Sequence, residues 1–299
     1  SGGRLIMFEG FKSHLIVSNG VSISAVSAGH GPAVLLLHGF PQTKALWSQI
    51  APLLARDYTV VAADLRGYGD SGKPTPTPDA ANYSFREMAL DMVGVMQSLG
   101  HEKFHLIGHD RGARVAHRLT QDHSERVQTL ALLDIVPTHT VFHKVDRHLA
   151  KAYWHWFLLS QPAPFPENTI LSDPDRFFEV CLTGWGKAGL SSFPADALAD
   201  YRHHWRDPDC IAGMCADYRA AALVDILHDD ADFGRKIAQP TLIYYGADGV
   251  MGRMFDMGAE WTPFAENITV QSCPGGHFFV DEHPEEVAAV LRRHLSQHI

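Results

Sequence analysis

The sequence predicts an α/β fold, a mostly parallel sheet flanked by helices with a helical cap inserted into it. Two observations carry this prediction. Short apolar runs alternate with helix-periodic segments through the first half of the chain, the pattern of strands joined by helical crossovers. The alternation stops near Val136, gives way to about 100 residues without strand signals, and resumes at Thr241. Composition fits: 299 residues, 45% hydrophobic and 20% charged, describe a globular chain and exclude collagen, disorder and a disulfide-rich mini-protein. The net charge of −9, with no Lys/Arg block, argues against nucleic acid or an anionic membrane as partner. An anionic substrate would therefore need a few locally placed cations.

Taken in order, Ser1 to Ile6 ahead of Met7 reads as an expression remnant and is set aside. Leu15 to Ala28 carries the turn Asn19–Gly20 and predicts an antiparallel hairpin on the sheet edge. Ala33–Leu37, Thr59–Ala63, Phe104–Ile107 and Thr129–Leu133 are too short for helices and predict buried strands. Lys44–Ala55 places Leu46, Trp47, Ile50, Leu53 and Leu54 on one broad face and predicts a helix, while Ser84 and Glu87 form a capping box that opens another, closed by Gly100. The insertion is rich in Trp, Tyr, His and Pro and contains helix-like stretches such as Ala195–His204. Thr241–Tyr245, Ile268–Gln271 and a helix over Pro284–Leu295 complete the sheet and its cover. The expected division is a core of residues 7–136 and 237–299 and a helical cap domain of residues 137–236.

Metal chemistry is not expected. Cys181, Cys210, Cys215 and Cys273 form no CxxC pair and read as reduced thiols of a cytoplasmic protein. The stretch His101-Glu102-Lys103-Phe104-His105 matches HExxH formally, but that motif works only on a helix, and here Gly100 has ended one and Phe104 begins a strand. The other scattered histidines, with the His203–His204 pair between Arg202 and Arg206, read as solvated surface. No apolar run approaches the roughly 18 residues of a membrane span, and no cleavable signal pattern is visible.

The chemistry is concentrated in Phe104-His105-Leu106-Ile107-Gly108-His109-Asp110-Arg111-Gly112. An apolar strand runs directly into a G-x-Asp-x-G turn and then a helix, the setting of a nucleophile elbow that thrusts its central residue outward. With Asp there instead of Ser, the nucleophile is a carboxylate, already ionised at neutral pH and able to displace a leaving group from an sp³ carbon. His38-Gly39-Phe40-Pro41 follows the Ala33–Leu37 strand, so the backbone N–H of Phe40 and that of Arg111 are the expected oxyanion donors. His277, in a glycine-rich loop after the last strand, is where the general base should lie in this chain order.

These motifs, with Asp64-Leu65-Arg66-Gly67-Tyr68-Gly69-Asp70-Ser71, resemble the α/β-hydrolases of the haloalkane dehalogenase and epoxide hydrolase superfamily. More narrowly the chain resembles the fluoroacetate (haloacetate) dehalogenases, through Asp110-Arg111-Gly112-Ala113-Arg114, Asp134-Ile135-Val136-Pro137-Thr138, Tyr153-Trp154-His155-Trp156 and Asp217-Tyr218-Arg219-Ala220-Ala221. The resemblance implies His155, Trp156 and Tyr218 as the halide pocket, Asp134 as the acid behind His277, a homodimer, and no metal or organic cofactor. Asp248, after the Thr241–Tyr245 strand, is the alternative acid. The usual turn there is G-x-x-D, and Gly246-Ala247-Asp248 is one residue short, which favours Asp134.

Arg111 and Arg114 share a helix face and oppose the helix dipole, so helix electrostatics does not explain them. A small anionic organohalide does: bringing a carboxylate to about 4 Å from Asp110 costs on the order of 4 kcal/mol at an effective dielectric of about 20, which two guanidinium groups can offset. The expected reaction is displacement of halide by Asp110, then hydrolysis of the aspartyl ester by water activated by His277. The rival is an epoxide hydrolase with the same nucleophile and base and with Tyr153 and Tyr218 as ring-opening acids; it leaves the two arginines unexplained. A third reading, a silent relative that merely binds a carboxylate, leaves Asp110 and His277 unexplained.

Overall fold

The computed structural model describes residues 7–186 and 189–298; the segment read as an expression remnant lies outside the described residues. One eight-stranded sheet runs through the molecule. Its strands are β1 (Lys12–Ser18), β2 (Val21–Ala28), β3 (Ala33–Leu37), β4 (Thr59–Ala63), β5 (Phe104–His109), β6 (Val127–Leu133), β7 (Thr241–Gly246) and β8 (Ile268–Cys273), in the spatial order β1-β2-β4-β3-β5-β6-β7-β8. The β1–β2 hairpin turns at Asn19–Gly20 and adds to β4 antiparallel, and all pairs from β4 to β8 are parallel.

The central strands β3 and β4 are apolar on both faces because both are covered, while the edge strands β1 and β8 are largely exposed. Along β3, Leu35 and Leu37 pack on one side with Met88 and Met92 of the Phe85–Ser98 helix, while Val34 and Leu36 pack on the other with Val287 and Leu291 of the Pro284–Ser296 helix. Ser84 caps the Phe85–Ser98 helix by accepting from Glu87 N–H at 3.2 Å, as the capping box predicts.

Lys44–Ala55 is not one helix. It forms a 3₁₀ turn over Lys44–Trp47 and a four-residue turn over Ala51–Leu54. Pro52 is the reason: it lacks an N–H, and its ring excludes a helical carbonyl four residues back, so a helix can only restart there. The amphipathic pattern nevertheless holds, since Leu46, Trp47, Ile50 and Leu54 are buried against the sheet.

The chain order reverses about β3, which has β4 on one side and β5 on the other, so the loops leaving β3 and β5 open a crevice at the carboxyl edge of the sheet. Between β6 and β7 the described residues form helices and no strand. These helices dock on that edge through buried polar contacts. Tyr68 after β4 donates to Asp217 at 2.7 Å, Phe85 N–H donates to Asp225 at 2.9 Å, and Tyr201 donates to Asp281 at 3.1 Å. Among the described residues no helix is long and apolar enough to cross a membrane.

Candidate active site

Asp110 sits between β5 and the Arg111–Asp122 helix with φ 53° and ψ −121°, a conformation costing a non-glycine residue about 1–3 kcal/mol. The surroundings enforce it. A Cβ on Gly108 would lie 2.4 Å from Gly112 O, and one on Gly112 would lie 2.3 Å from His38 O, so only glycines let strand, turn and helix close this tightly. The Asp110 side chain caps nothing on its own helix. It points instead to the loops from β3 and β8, at 7% exposure.

Its two oxygens have different partners. Oδ2 accepts from Phe40 N–H at 2.9 Å, and Oδ1 lies 3.3 Å from His277 Nε2, too poorly aligned for a full hydrogen bond. On the other side of the ring, His277 Nδ1 is 2.6 Å from Asp134 Oδ2, and Asp134 Oδ1 accepts from Gly246 N–H at 2.9 Å. Asp248 stands elsewhere: it is exposed, and its carboxylate accepts from Gly275 N–H at 3.1 Å. The geometry thus brings Asp110, His277 and Asp134 into one line. Of the two expected oxyanion donors, Phe40 N–H already bonds the Asp110 carboxylate in this resting arrangement, and Arg111 N–H does not.

Burial disfavours charge on both partners, yet each stabilises the other. His277, flanked by Asp110 and Asp134, is raised from 6.5 to about 9, and the neighbouring imidazole holds Asp110 well below the usual carboxylate range. The resting pair is therefore imidazolium and carboxylate. His109, preceding Asp110, supports the loop: its Nε2 is 2.8 Å from His277 O, and burial keeps it neutral, with a pKa lowered to about 4.

Arg111 and Arg114 lie beside Asp110 and differ from expectation in one respect. Arg111 is fully buried and already has a counterion: Nε and Nη2 contact the carboxylate of Asp217 at 3.1 and 2.7 Å. Asp217 had been legible only as part of the family motif, because it lies 106 residues from Arg111 in sequence. The Arg111 guanidinium also stacks 3.9 Å from the centre of the Tyr218 ring, and its Nη1 has no partner. Arg114 donates from Nη1 to Val136 O at 2.8 Å and Thr138 Oγ1 at 3.1 Å, lies over Trp156 at 4.6 Å, and leaves Nε without a partner. Burial and the charge of Arg111 lower Arg114 to about 10.

Across from them the insertion contributes His155, Trp156 and Tyr218, all nearly inaccessible. His155 stacks on Phe40, and Tyr218 meets Phe40, His155 and Trp156 edge-on at 5.1, 5.3 and 5.7 Å. His155 Nδ1 and the Tyr218 hydroxyl are buried without partners, as is the hydroxyl of Tyr153, whose ring packs edge-on to His277 at 6.4 Å. Burial drives His155 neutral and keeps both phenols protonated. Buried polar atoms are ordinarily paired. Arg111, Arg114, Tyr153, His155 and Tyr218, all close enough to Asp110 to feel its charge, carry buried polar atoms with no partner, a donor set that suits a small polar ligand.

The alpha/beta hydrolase fold family matches over residues 32–284. A fluoroacetate dehalogenase from Burkholderia sp is 52% identical over 290 residues, 97% of this chain and 95% of that protein. A soluble epoxide hydrolase from Corynebacterium sp. (strain C12) is 29% identical over 289 residues, 92% of this chain and 93% of that protein. Among solved structures, ALR0039 from Nostoc sp PCC 7120 superposes with a TM-score of 0.95 at 48% identity, covering 97% of this chain and 99% of that one.

Proposed function

This chain belongs to the alpha/beta hydrolase fold family, and we propose that it is a hydrolase of carbon–halogen bonds acting on haloacetates, with fluoroacetate the preferred substrate and glycolate and fluoride the products. The observation that carries this reading is the ring of unpaired donors around Asp110, two guanidinium groups among them, in a site walled by aromatics. An epoxide has no use for the unpaired guanidinium N–H groups of Arg111 and Arg114; a haloacetate carboxylate does.

In the proposed reaction, Arg114 and the free Nη1 of Arg111 hold the carboxylate and bring the α-carbon in line with Asp110 Oδ1. The C–halogen bond breaks as the C–O bond forms, and His155, Trp156 and Tyr218 receive the halide. Fluoride leaves poorly, so donors placed where its charge develops matter more for it than for chloride, and a small aromatic-walled pocket favours the smaller ion. The alkylated Asp110 no longer carries charge. His277 then loses one of the two carboxylates that raise its pKa, sheds its proton, and becomes the base that activates water. Water attacks the ester carbonyl, and Phe40 N–H, already on Oδ2, is positioned for the oxyanion. Glycolate leaves with the oxygen that belonged to Asp110, and one proton is released overall.

The reading takes residues 137–236 as a cap domain over a core of 7–136 and 237–299. It takes the cytoplasm as the compartment, supported by four free, buried cysteines, and carries over the homodimer from the resemblance. One observation favours epoxide opening as a second reading: Tyr153 and Tyr218 both present buried, unpaired hydroxyls. Assaying the protein with fluoroacetate, chloroacetate and a simple terminal epoxide, with fluoride read by ion-selective electrode, separates the two. Fluoride release with the epoxide untouched is expected; epoxide consumption with both haloacetates untouched would replace this reading with the second.

A further inference from the structure

Away from Asp110, two imidazoles and a carboxylate meet at one point of the surface. His139 and His143 are four residues apart on the Thr138–His143 helix, so their side chains share a face. Asp230, on the Ile226–Ala231 helix that closes the insertion, faces both. Its Oδ1 lies 2.6 Å from His139 Nδ1 and 2.9 Å from His143 Nε2, and the ligand-type atoms of all three residues lie within 4.8 Å of one another. The two rings are 4.3 Å apart, and His139 is held from behind by Phe233, at 4.7 Å.

As the atoms stand, one carboxylate oxygen serves both ring nitrogens. Only N–H groups can approach it so closely, because two imidazole lone pairs would be repelled. A cation in place of those protons gives the same convergence with the signs satisfied: lone pairs and carboxylate all directed at one positive centre. Tetrahedral metal–nitrogen and metal–oxygen bonds of about 2.0–2.2 Å set neighbouring ligand atoms roughly 3.3 Å apart. From 2.6 and 2.9 Å the two nitrogen–oxygen separations need to open by about 0.7 and 0.4 Å to reach that, and side chains 23%, 52% and 37% exposed for His139, His143 and Asp230 have room to do so. Two imidazoles with one carboxylate suit zinc, nickel or copper and do not suit magnesium or calcium, which take oxygen ligands. The exposed side leaves the remaining coordination to water.

We propose that His139, His143 and Asp230 form a binding site for a divalent transition-metal cation of the zinc class, which joins the helix opening the insertion to the helix closing it. The site shares no residue with the one around Asp110. It does adjoin the support of Arg114: Thr138, next to His139, accepts from Arg114, and His139 N–H donates to Asp229, whose other oxygen accepts from Arg118. A bound cation would therefore stiffen the segment on which Arg114 leans, a structural role and not a step in the chemistry.

The test is calorimetric titration of the purified full chain with zinc chloride in a non-chelating buffer, run beside His143→Ala and Asp230→Asn, with thermal unfolding midpoints recorded with and without zinc. Both substitutions are at exposed side chains and leave the bonds to Arg114 and Arg118 in place. Wild type is expected to bind one more equivalent than either variant and to show a zinc-dependent rise in midpoint that both variants lack. Equal stoichiometry and affinity in all three proteins would overturn the proposal, as would magnesium displacing the zinc at equal concentration.

Discussion

Asp217 lies between Arg111 and Tyr68, accepting from the guanidinium at 2.7 Å and from the phenol at 2.7 Å, with Arg111 and Asp217 both inaccessible to solvent. This pair is what allows a guanidinium to stand, fully charged, beside the candidate nucleophile in an apolar setting: burial works against its charge, and Asp217 more than restores it. Removing one partner of a buried ion pair strands the other. Asp217→Asn is accordingly expected to cost about 3–5 kcal/mol of stability, measured by urea unfolding, with kcat/KM reduced as well because Nη1 of Arg111 loses its aim. A variant as stable as the wild type would mean that Arg111 does not depend on Asp217.

Arg114 has no carboxylate partner among the described residues and holds only Val136 O and Thr138 Oγ1. It is therefore the freer of the two cations to meet a substrate carboxylate. Arg114→Met keeps the stem over Trp156 and removes the charge; a charged hydrogen bond is worth about 1.5–3 kcal/mol, so kcat/KM should fall by about 10-fold to 100-fold. The loss should be dominated by KM, since the carboxylate is held alike before and during displacement.

Tyr218 tests the leaving-group pocket. Its hydroxyl is buried without a partner, and Tyr218→Phe removes that donor with little change of shape. Loss of one such donor raises a barrier by about 3–4 kcal/mol, so fluoride release should slow by about 10²–10³-fold. Chloride release from chloroacetate should suffer less, because chloride needs less help. Equal losses for the two substrates would mean that Tyr218 does not face the halide.

The His277 imidazolium predicts a pH dependence of stability. Its folded pKa of about 9 lies above the ordinary 6.5, so the folded state holds the proton more tightly. The stabilisation is fully present below about pH 6.5 and is lost as pH rises through about 9, by an amount on the order of 3 kcal/mol. Urea unfolding at intervals from pH 6 to 10 should show this decline in wild type and not in His277→Gln.

The central strands were legible because each is a short apolar run between turn residues, the edge hairpin because of its Asn19–Gly20 turn, and the elbow because Gly108 and Gly112 have to be glycines where β5 meets its helix. The preference for Asp134 over Asp248 rested on the family motif and on one missing residue in a turn, and the fold sets only the former beside His277. Lys44–Ala55 was misread because its apolar spacing survives in two short turns after Pro52 breaks the helix. Asp217 behind Arg111, and Asp230 between His139 and His143, follow from tertiary packing: each partner lies about 90 or more residues away, beyond any local pattern.

The central claim is that Asp110 forms a covalent ester which water then cleaves at the carbonyl. A single turnover of fluoroacetate with excess protein in heavy-oxygen water, followed by mass spectrometry of the peptide containing Asp110 and of the glycolate, tests it directly. The account predicts one heavy oxygen in the Asp110 carboxylate and none in that first glycolate. Label in the glycolate with Asp110 unlabelled would mean that water attacks the α-carbon itself, and would contradict it.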